Sequence, residues 1–192
     1  AQHYSALGYG RPLAAGFATP TRSKGVVIAG SCSQMTNQQV MRYLDKAAGL
    51  SLDIDRCLHD PAYVEETVGW VLDHIEDVYA PLVYSTRTPA GLAEIKARYP
   101  DVDVAARIER FFADLAVRLA ENEVRNFIIA GGETSGVVVQ ALQVGAFYIG
   151  SQIDPGVSWV KSIEGGFSLA LKSGNFGSVD FFSHAQDMLQ TE

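Results

Sequence analysis

Three short stretches hold the residues best suited to chemistry: Gly30-Ser31-Cys32-Ser33, Gly131-Gly132-Glu133-Thr134-Ser135-Gly136 and Ser173-Gly174-Asn175-Phe176-Gly177. Each follows an apolar run and precedes an amphipathic one. Glycine lets backbone N–H groups come close to an anion, the first turn of a helix offers N–H groups with no internal acceptor, and the helix dipole favours negative charge there. Phosphate is the natural guest. One such loop alone reads equally well as a tight turn with a Ser or Thr cap. Three in equivalent places point to a ligand. No Gly-Lys-Ser/Thr follows, so this is not a Walker A loop, and no Gly-x-Gly-x-x-Gly with a later ribose-binding acid is found. A nucleotide held here is held by another scheme.

Several side chains add to the loops. Glu133 opens a helix, where a carboxylate either caps the dipole or meets Mg²⁺ or a ribose hydroxyl. Lys172 ends an apolar strand directly before the third loop, which suits either a point charge on a phosphate or a snorkelling edge lysine. Cys32 has no histidine within these loops to activate it, so nucleophilic catalysis is disfavoured. His3, His59, His74 and His184 lack the paired spacing of metal ligands, and no residue is assigned to a metal.

The elements that must carry these loops read as βα units. Residues 26–29 form a β-branched run, and helical spacing follows from Met35 to about Ala48. Period-two alternation over 50–55 gives a second strand, and 61–78 a second helix. Residues 81–86 read as a third strand, broken by Arg87-Thr88-Pro89, with a long helix over 102–121. A fourth strand over 126–130 leads into a short helix through Leu142. Three strand-like runs, 146–149, 157–160 and 167–172, are joined by turns and are expected to add antiparallel strands at one edge. A last helix runs to Leu189. The expected fold is α/β, three-layered, with a mainly parallel sheet and helices on both faces. Residues 1–24 carry Gly8, Gly10, Pro12, Gly16 and Pro20 without sustained period and read as a linker or interdomain arm; 25–192 read as one domain.

Composition narrows the partners. The chain has 192 residues, 47% hydrophobic and 19% charged, with Lys+Arg 15 against Asp+Glu 22 and a net charge of −7. Area scaling lets a chain of this size bury about 70% of its extended surface, enough for one core. The acidic balance argues against a phosphate-backbone binder, hence no nucleic acid, and no apolar run reaches the ~18 residues of a membrane span. Two cysteines make no disulfide framework, and a reducing cytoplasm fits best.

Taken in order, the segments resemble the four-carbon acid sugar kinase family. The matching text is Gly30-Ser31-Cys32-Ser33 with Thr36 and Gln38 or Gln39, then residues 131–136, then Ile153-Asp154-Pro155-Gly156-Val157-Ser158-Trp159, then Leu171-Lys172-Ser173-Gly174-Asn175-Phe176-Gly177. The likeness spans 25–190, and Ser158 stands where the family commonly has proline. It implies ATP with Mg²⁺ as cofactors and phosphorylation of a terminal hydroxyl on a four-carbon sugar acid. Gly-Gly-Glu-Thr-Ser-Gly and Lys-Ser-Gly-Asn-Phe-Gly are similar to the branch acting on 3-oxo-tetronates; threonate and erythronate kinases, or a non-catalytic nucleotide or sugar-phosphate domain, are the alternatives. By the same resemblance Ser31, Gly131, Gly132, Glu133, Thr134, Ser135, Gly136 and Gly174 are expected to contact the nucleotide, and Ser33, Lys172 and Asn175 are added as candidates from their places in the same loops. Family members place the sugar acid on an N-terminal domain with paired aspartates. This chain looks like the second half only, and its start without Met agrees with a fragment, so the catalytic base is expected on the absent domain. Apolar edge strands near 157–171 suggest contact with another domain or a homo-oligomer.

Overall fold

The computed structural model describes residues 24–189. The expected arm, 1–24, falls almost wholly outside them. In chain order the elements are β1 (Gly25–Ala29), α1 (Gln34–Leu44), β2 (Gly49–Ser51), α2 (Ile54–His59), α3 (Tyr63–Asp73), β3 (Leu82–Tyr84), α4 (Pro89–Arg98), α5 (Val104–Glu121), β4 (Asn126–Ala130), α6 (Gly132–Ala141), β5 (Phe147–Asp154), β6 (Val157–Ser162), β7 (Ser168–Lys172) and α7 (Phe181–Asp187). The strands form one sheet of seven in the order β2-β3-β1-β4-β7-β6-β5. From β2 to β7 all neighbours are parallel, and β6 and β5 add antiparallel strands. The α/β architecture is the expected one.

Alternation along the central strands divides the core into two layers. Val26 and Ile28 of β1, with Phe127 and Ile129 of β4, face a cluster that includes Val68 and Val71 of α3, Phe112, Leu115 and Leu119 of α5, and Val138 of α6. Val27 and Ala29, with Ile128 and Ala130, face Val40 and Tyr43 of α1 and Phe181, Phe182 and Ala185 of α7. A strand covered on both sides needs apolar residues at every position, which is why β1 and β4 read as unbroken runs. Each fully buried Phe or Leu contributes about 1.5–3 kcal/mol through removal from water, so α5 is the main anchor of the first layer. Trp159 ties the antiparallel extension to α7, donating from Nε1 to the Ala185 carbonyl at 3.0 Å.

Several boundaries depart from the sequence expectation. Only two of the last three runs fit the expected antiparallel edge: β7 inserts beside β4 in parallel register, Ile129 against Leu171 and Ala130 against Lys172. The turn-rich spacing of 146–172 hid this, because turn signals do not show which neighbour a strand returns to. The alternation over 50–55 stops at Ser51, since Asp53 accepts from the Arg56 N–H and starts α2. Thr88 and Pro89 begin α4 as well as ending β3: Thr88 caps the helix and proline sits in its first turn, where its missing N–H costs nothing. α1 and α3 stop at Leu44 and Asp73, short of Ala48 and Val78.

One consequence of the topology governs the site. β1 and β4 are neighbours, yet the chain leaves β1 toward α1 on one face and β4 toward α6 on the other. Such a reversal opens a crevice beyond the carboxyl ends of the strands, where α/β sheets hold ligands.

Candidate nucleotide site

The three glycine loops follow β1, β4 and β7, which are adjacent, so they stand side by side along that crevice. Backbone hydrogen bonds stitch them together. Gly30 and Ser31 both donate N–H to the Ala130 carbonyl (3.0 and 3.1 Å), and Gly131 donates to the Lys172 carbonyl (2.9 Å). Two glycines permit this closeness. Gly131 has φ +133°, and a Cβ there would lie 2.9 Å from Thr134 Oγ1 and 3.2 Å from the Ser31 nitrogen. A Cβ on Gly174 would come within 2.6 Å of Ser31 Oγ.

Behind the loops, one carbonyl gathers three donors. Gly174 O accepts from Ser33 Oγ at 2.6 Å, Thr36 Oγ1 at 2.8 Å and Lys172 Nζ at 2.9 Å. The same amine reaches Thr36 Oγ1 and the Ser173 carbonyl, each at 3.1 Å. Lys172 is 1% exposed, and burial lowers its amine from 10.5 to about 8. All three ammonium hydrogens therefore have acceptors within the protein, and Lys172 is neither an edge lysine nor one with a spare donor. A peptide unit points its C=O and N–H in opposite directions. With Gly174 O drawn inward, the N–H of exposed Asn175 is directed away from the buried amine.

The two helices that start at the loops differ in their caps. Ser33 caps α1 and accepts from the Thr36 N–H at 3.1 Å, while its own N–H donates to Ser31 Oγ at 3.1 Å. Asn37 Nδ2 closes the turn further on the carbonyls of Ser33 and Cys32 (3.0 and 3.2 Å). α6 starts from Gly131 with no side-chain cap, so the N–H groups of its first turn are left to an acceptor outside the helix. Cβ atoms added at Gly132 and Gly136, one turn apart, would meet almost nothing: Ser173 Oγ at 3.9 Å in the first case and no atom within 4 Å in the second. Glycine inside a helix costs about 1 kcal/mol relative to alanine, so Gly136 gains nothing for this fold from lacking a side chain. The Ser135 hydroxyl is buried and has no hydrogen-bond partner. A backbone-lined surface, free donors and an orphaned hydroxyl meet at one helix start.

The structure therefore brings together all eleven residues singled out in the sequence, in two arrangements. Gly131, Gly132, Glu133, Ser135 and Gly136 line or flank the open start of α6, with Thr134 buried beneath it. Ser31, Ser33, Lys172 and Gly174 form the packed support, with Asn175 exposed at its rim. Sequence reading passed over Thr86 and Asn37, which fix the first loop. Thr86 Oγ1 donates to the Ser31 carbonyl at 3.0 Å, and Asn37 reaches Arg87 O at 3.3 Å. Neither has a pattern that reveals its partner. Cys32 Sγ accepts from the Arg87 N–H at 3.4 Å. The other thiol, Cys57, is pushed up to about 12 by burial, with Asp53 adding repulsion, which makes it a poor nucleophile. His184 faces Asp154 at 4.0 Å, and His3 lies outside the described residues.

Comparison with known proteins decides the family. A family model described as "Nucleotide-binding C-terminal domain" matches residues 26–182. The chain belongs to this family. A 3-oxo-tetronate kinase of Haemophilus influenzae is 47% identical over 170 residues, 88% of this chain and 41% of that protein. One of Salmonella typhimurium is 42% identical over 193 residues, 99% of this chain and 45% of that protein. A crystal structure of an H. influenzae protein described by the family model DUF1537 superposes with TM-score 0.86 at 45% identity, covering 97% of this chain and 45% of that one. The chain thus spans less than half the length of the relatives it matches.

The residues of this nucleotide-binding C-terminal domain fit a triphosphate: unpaired N–H groups, close backbone approach and an unused hydroxyl lie together at a helix start. Mg²⁺ is bound through one or two carboxylates plus phosphate oxygens, and Glu133, exposed in the first turn, is the carboxylate the cradle itself carries. Among the described residues no three His, Cys, Asp or Glu side chains are grouped to hold an ion by themselves, and no helix is long and apolar enough to cross a membrane.

Proposed function

We propose that this chain is the ATP-binding half of a kinase that phosphorylates the 4-hydroxyl of a four-carbon sugar acid, turning 3-oxo-tetronate into 3-oxo-tetronate 4-phosphate. The observation that carries the reading is the uncapped, glycine-lined start of α6 at the sheet's switch point, in a chain 47% identical to a protein named for that reaction. In the transfer, the bond from the γ-phosphorus to the ADP oxygen breaks and a bond to the 4-oxygen forms, while the hydroxyl proton passes to a base. Such chemistry asks mainly for positioning and charge neutralisation. Here the N–H groups of residues 132–134 and the Ser135 hydroxyl hold phosphate oxygens. Glu133 is the residue that would hold Mg²⁺, whose role when bound is to neutralise charge on the phosphates. Ser31, Ser33, Lys172 and Gly174 fix the third loop, with Asn175 at its rim.

The base and the sugar-acid pocket belong to the N-terminal half that the longer relatives carry. The enzyme works in the cytoplasm, and contact with that half or with a second copy covers the antiparallel edge. Calorimetry tests the reading: ATP binds the 192-residue chain, and phosphoryl transfer to tetronates occurs only when the N-terminal half is supplied. Turnover by the chain alone, or thermal protection by a sugar phosphate and not by ATP, would overturn it.

A further inference from the structure

Between α5 and the corner that joins α2 to α3 lies a cavity of about 240 Å³, and no residue of the three glycine loops lines it. Leu58, Pro61, Val64 and Phe111 give it apolar walls, and Cys57 adds a thiol that burial keeps protonated. Its charged groups come from two sides. Arg107, Arg110 and Asp114 stand at positions that share one face of α5, while His59 and Asp60 come from the corner.

The two arginines differ from the others in the protein. With Asp+Glu 22 against Lys+Arg 15, carboxylates are plentiful, and the other described arginines all have acceptors. Arg42, Arg56, Arg98 and Arg118 make ion pairs, and Arg87 and Arg125 donate to backbone carbonyls. Among the described residues, Arg107 and Arg110 are the arginines whose guanidinium groups have neither an ion pair nor a hydrogen bond. The acids in the same lining do not answer them. Asp60 accepts from Arg56 at 2.6 and 3.0 Å and from the Ala62 N–H at 3.0 Å, and that arginine holds its carboxyl well below the usual carboxylate range. Asp114, one turn beyond Arg110, makes no ion pair with it.

A guanidinium presents a planar fork that fits phosphate oxygens, and two forks match the charge of one dianion. The apolar walls leave room for more than the phosphate, since small-molecule sites combine such walls with a few placed polar groups. A free carboxylate beyond the arginines accepts a hydroxyl. We propose that this cavity is a second ligand site, for the phosphate ester of a short hydroxylated carbon chain. Arg107 and Arg110 hold the phosphate with His59 as a further donor, the chain lies along Val64 and Phe111, and Asp114 receives a hydroxyl. The site stands apart from the nucleotide cradle and does not rest on the kinase reading.

Glycerol 3-phosphate is the probe, titrated calorimetrically into the full 192-residue chain with and without excess ADP. It is expected to bind equally in both cases, and several-fold more tightly than inorganic phosphate because the walls and Asp114 meet the carbon chain. The double variant Arg107→Gln/Arg110→Gln is expected to weaken the ester tenfold or more. Both side chains are exposed and unpaired, so its Tm should stay near that of the unaltered chain and its ADP affinity should change less than twofold. Failure of the unaltered chain to bind glycerol 3-phosphate, its displacement by ADP, or unchanged affinity in the double variant would overturn the site. Equal affinities for the ester and for inorganic phosphate would overturn the assignment of the ligand class.

Discussion

α1 and α6 begin in the same way in sequence, after a buried parallel strand and a short run of Gly, Ser and Thr, yet they end up with opposite roles. α1 is closed. Ser33 caps it, Asn37 fastens its first carbonyls, and Ser33 and Thr36 turn their hydroxyls onto Gly174 O. α6 is open, with no side-chain cap, room beside Gly132 and Gly136, and an unpartnered hydroxyl on Ser135. Among the described residues two buried side-chain atoms lack a partner, Gln39 Oε1 inside α1 and Ser135 Oγ, and the one that stands beside uncapped N–H groups at a helix start is where a ligand belongs. The closed helix start is the abutment that holds the third loop against the open one.

The largest effect is expected from breaking the geometry of the open start. Gly131→Ala imposes a side chain at φ +133° and pushes a Cβ toward Thr134 Oγ1 and the Ser31 nitrogen. Strain of this kind together with overpacking costs about 4 kcal/mol, to be read as a lower urea midpoint at unchanged slope. Next comes the closed side. Lys172 has a folded-state value of about 8 against 10.5 for the free amine, so between those values the unfolded chain holds more protons and stability rises with pH. The rise is on the order of 3 kcal/mol from pH 8 to 10.5, and Lys172→Met, measured in parallel, lacks it. ADP affinity moves the other way. Above pH 8 the neutral amine keeps two hydrogens for three acceptors, the Gly174 loop loosens, and binding weakens. An affinity flat across pH 8 would separate Lys172 from the site.

Gly136→Ala is the sharpest test of openness, because it should improve the fold and harm the function. The added methyl meets no atom within 4 Å in the protein, and replacing a helix-interior glycine gains about 1 kcal/mol. Against a bound nucleotide the same methyl is in the way, and a loss of about tenfold in ADP affinity, ~1.4 kcal/mol, is expected. Unchanged affinity would mean that the ligand does not lie along this face.

How much of this could be read in advance depended on which interactions are local. β1, β4 and the loops after them were legible because β-branched runs and Gly-Ser spacing are carried by consecutive residues. The parallel insertion of β7 was not, since the pairing of Ile129 with Leu171 joins residues far apart in sequence and turn signals fix only neighbours. Lys172 shows the same limit. Its type and place before a glycine loop allowed a phosphate contact or an edge position, whereas its burial follows from β7 lying inside the sheet with α1 behind it. Thr88-Pro89 signals a stop and a start with the same residues, which concealed α4.

The smallest effects contrast two hydroxyls, one on each helix start. Ser33 Oγ accepts the Thr36 N–H and donates to Gly174 O, so Ser33→Ala removes a cap and one of three donors on a shared carbonyl. Loss of such a cap costs about 1 kcal/mol, and Lys172 and Thr36 remain to hold Gly174. Ser135 Oγ makes no bond, so Ser135→Ala removes a desolvated group that the fold never compensated, leaving stability unchanged or slightly higher. Thermal melts of the two variants without ligand should therefore separate in opposite directions. With ADP added the order is expected to change: Ser33→Ala keeps most of the ligand's stabilisation because the open start is intact, while Ser135→Ala loses part of it with the donor that had no other use. If both variants melt alike with and without ADP, the distinction between a closed support and an open receiver does not hold.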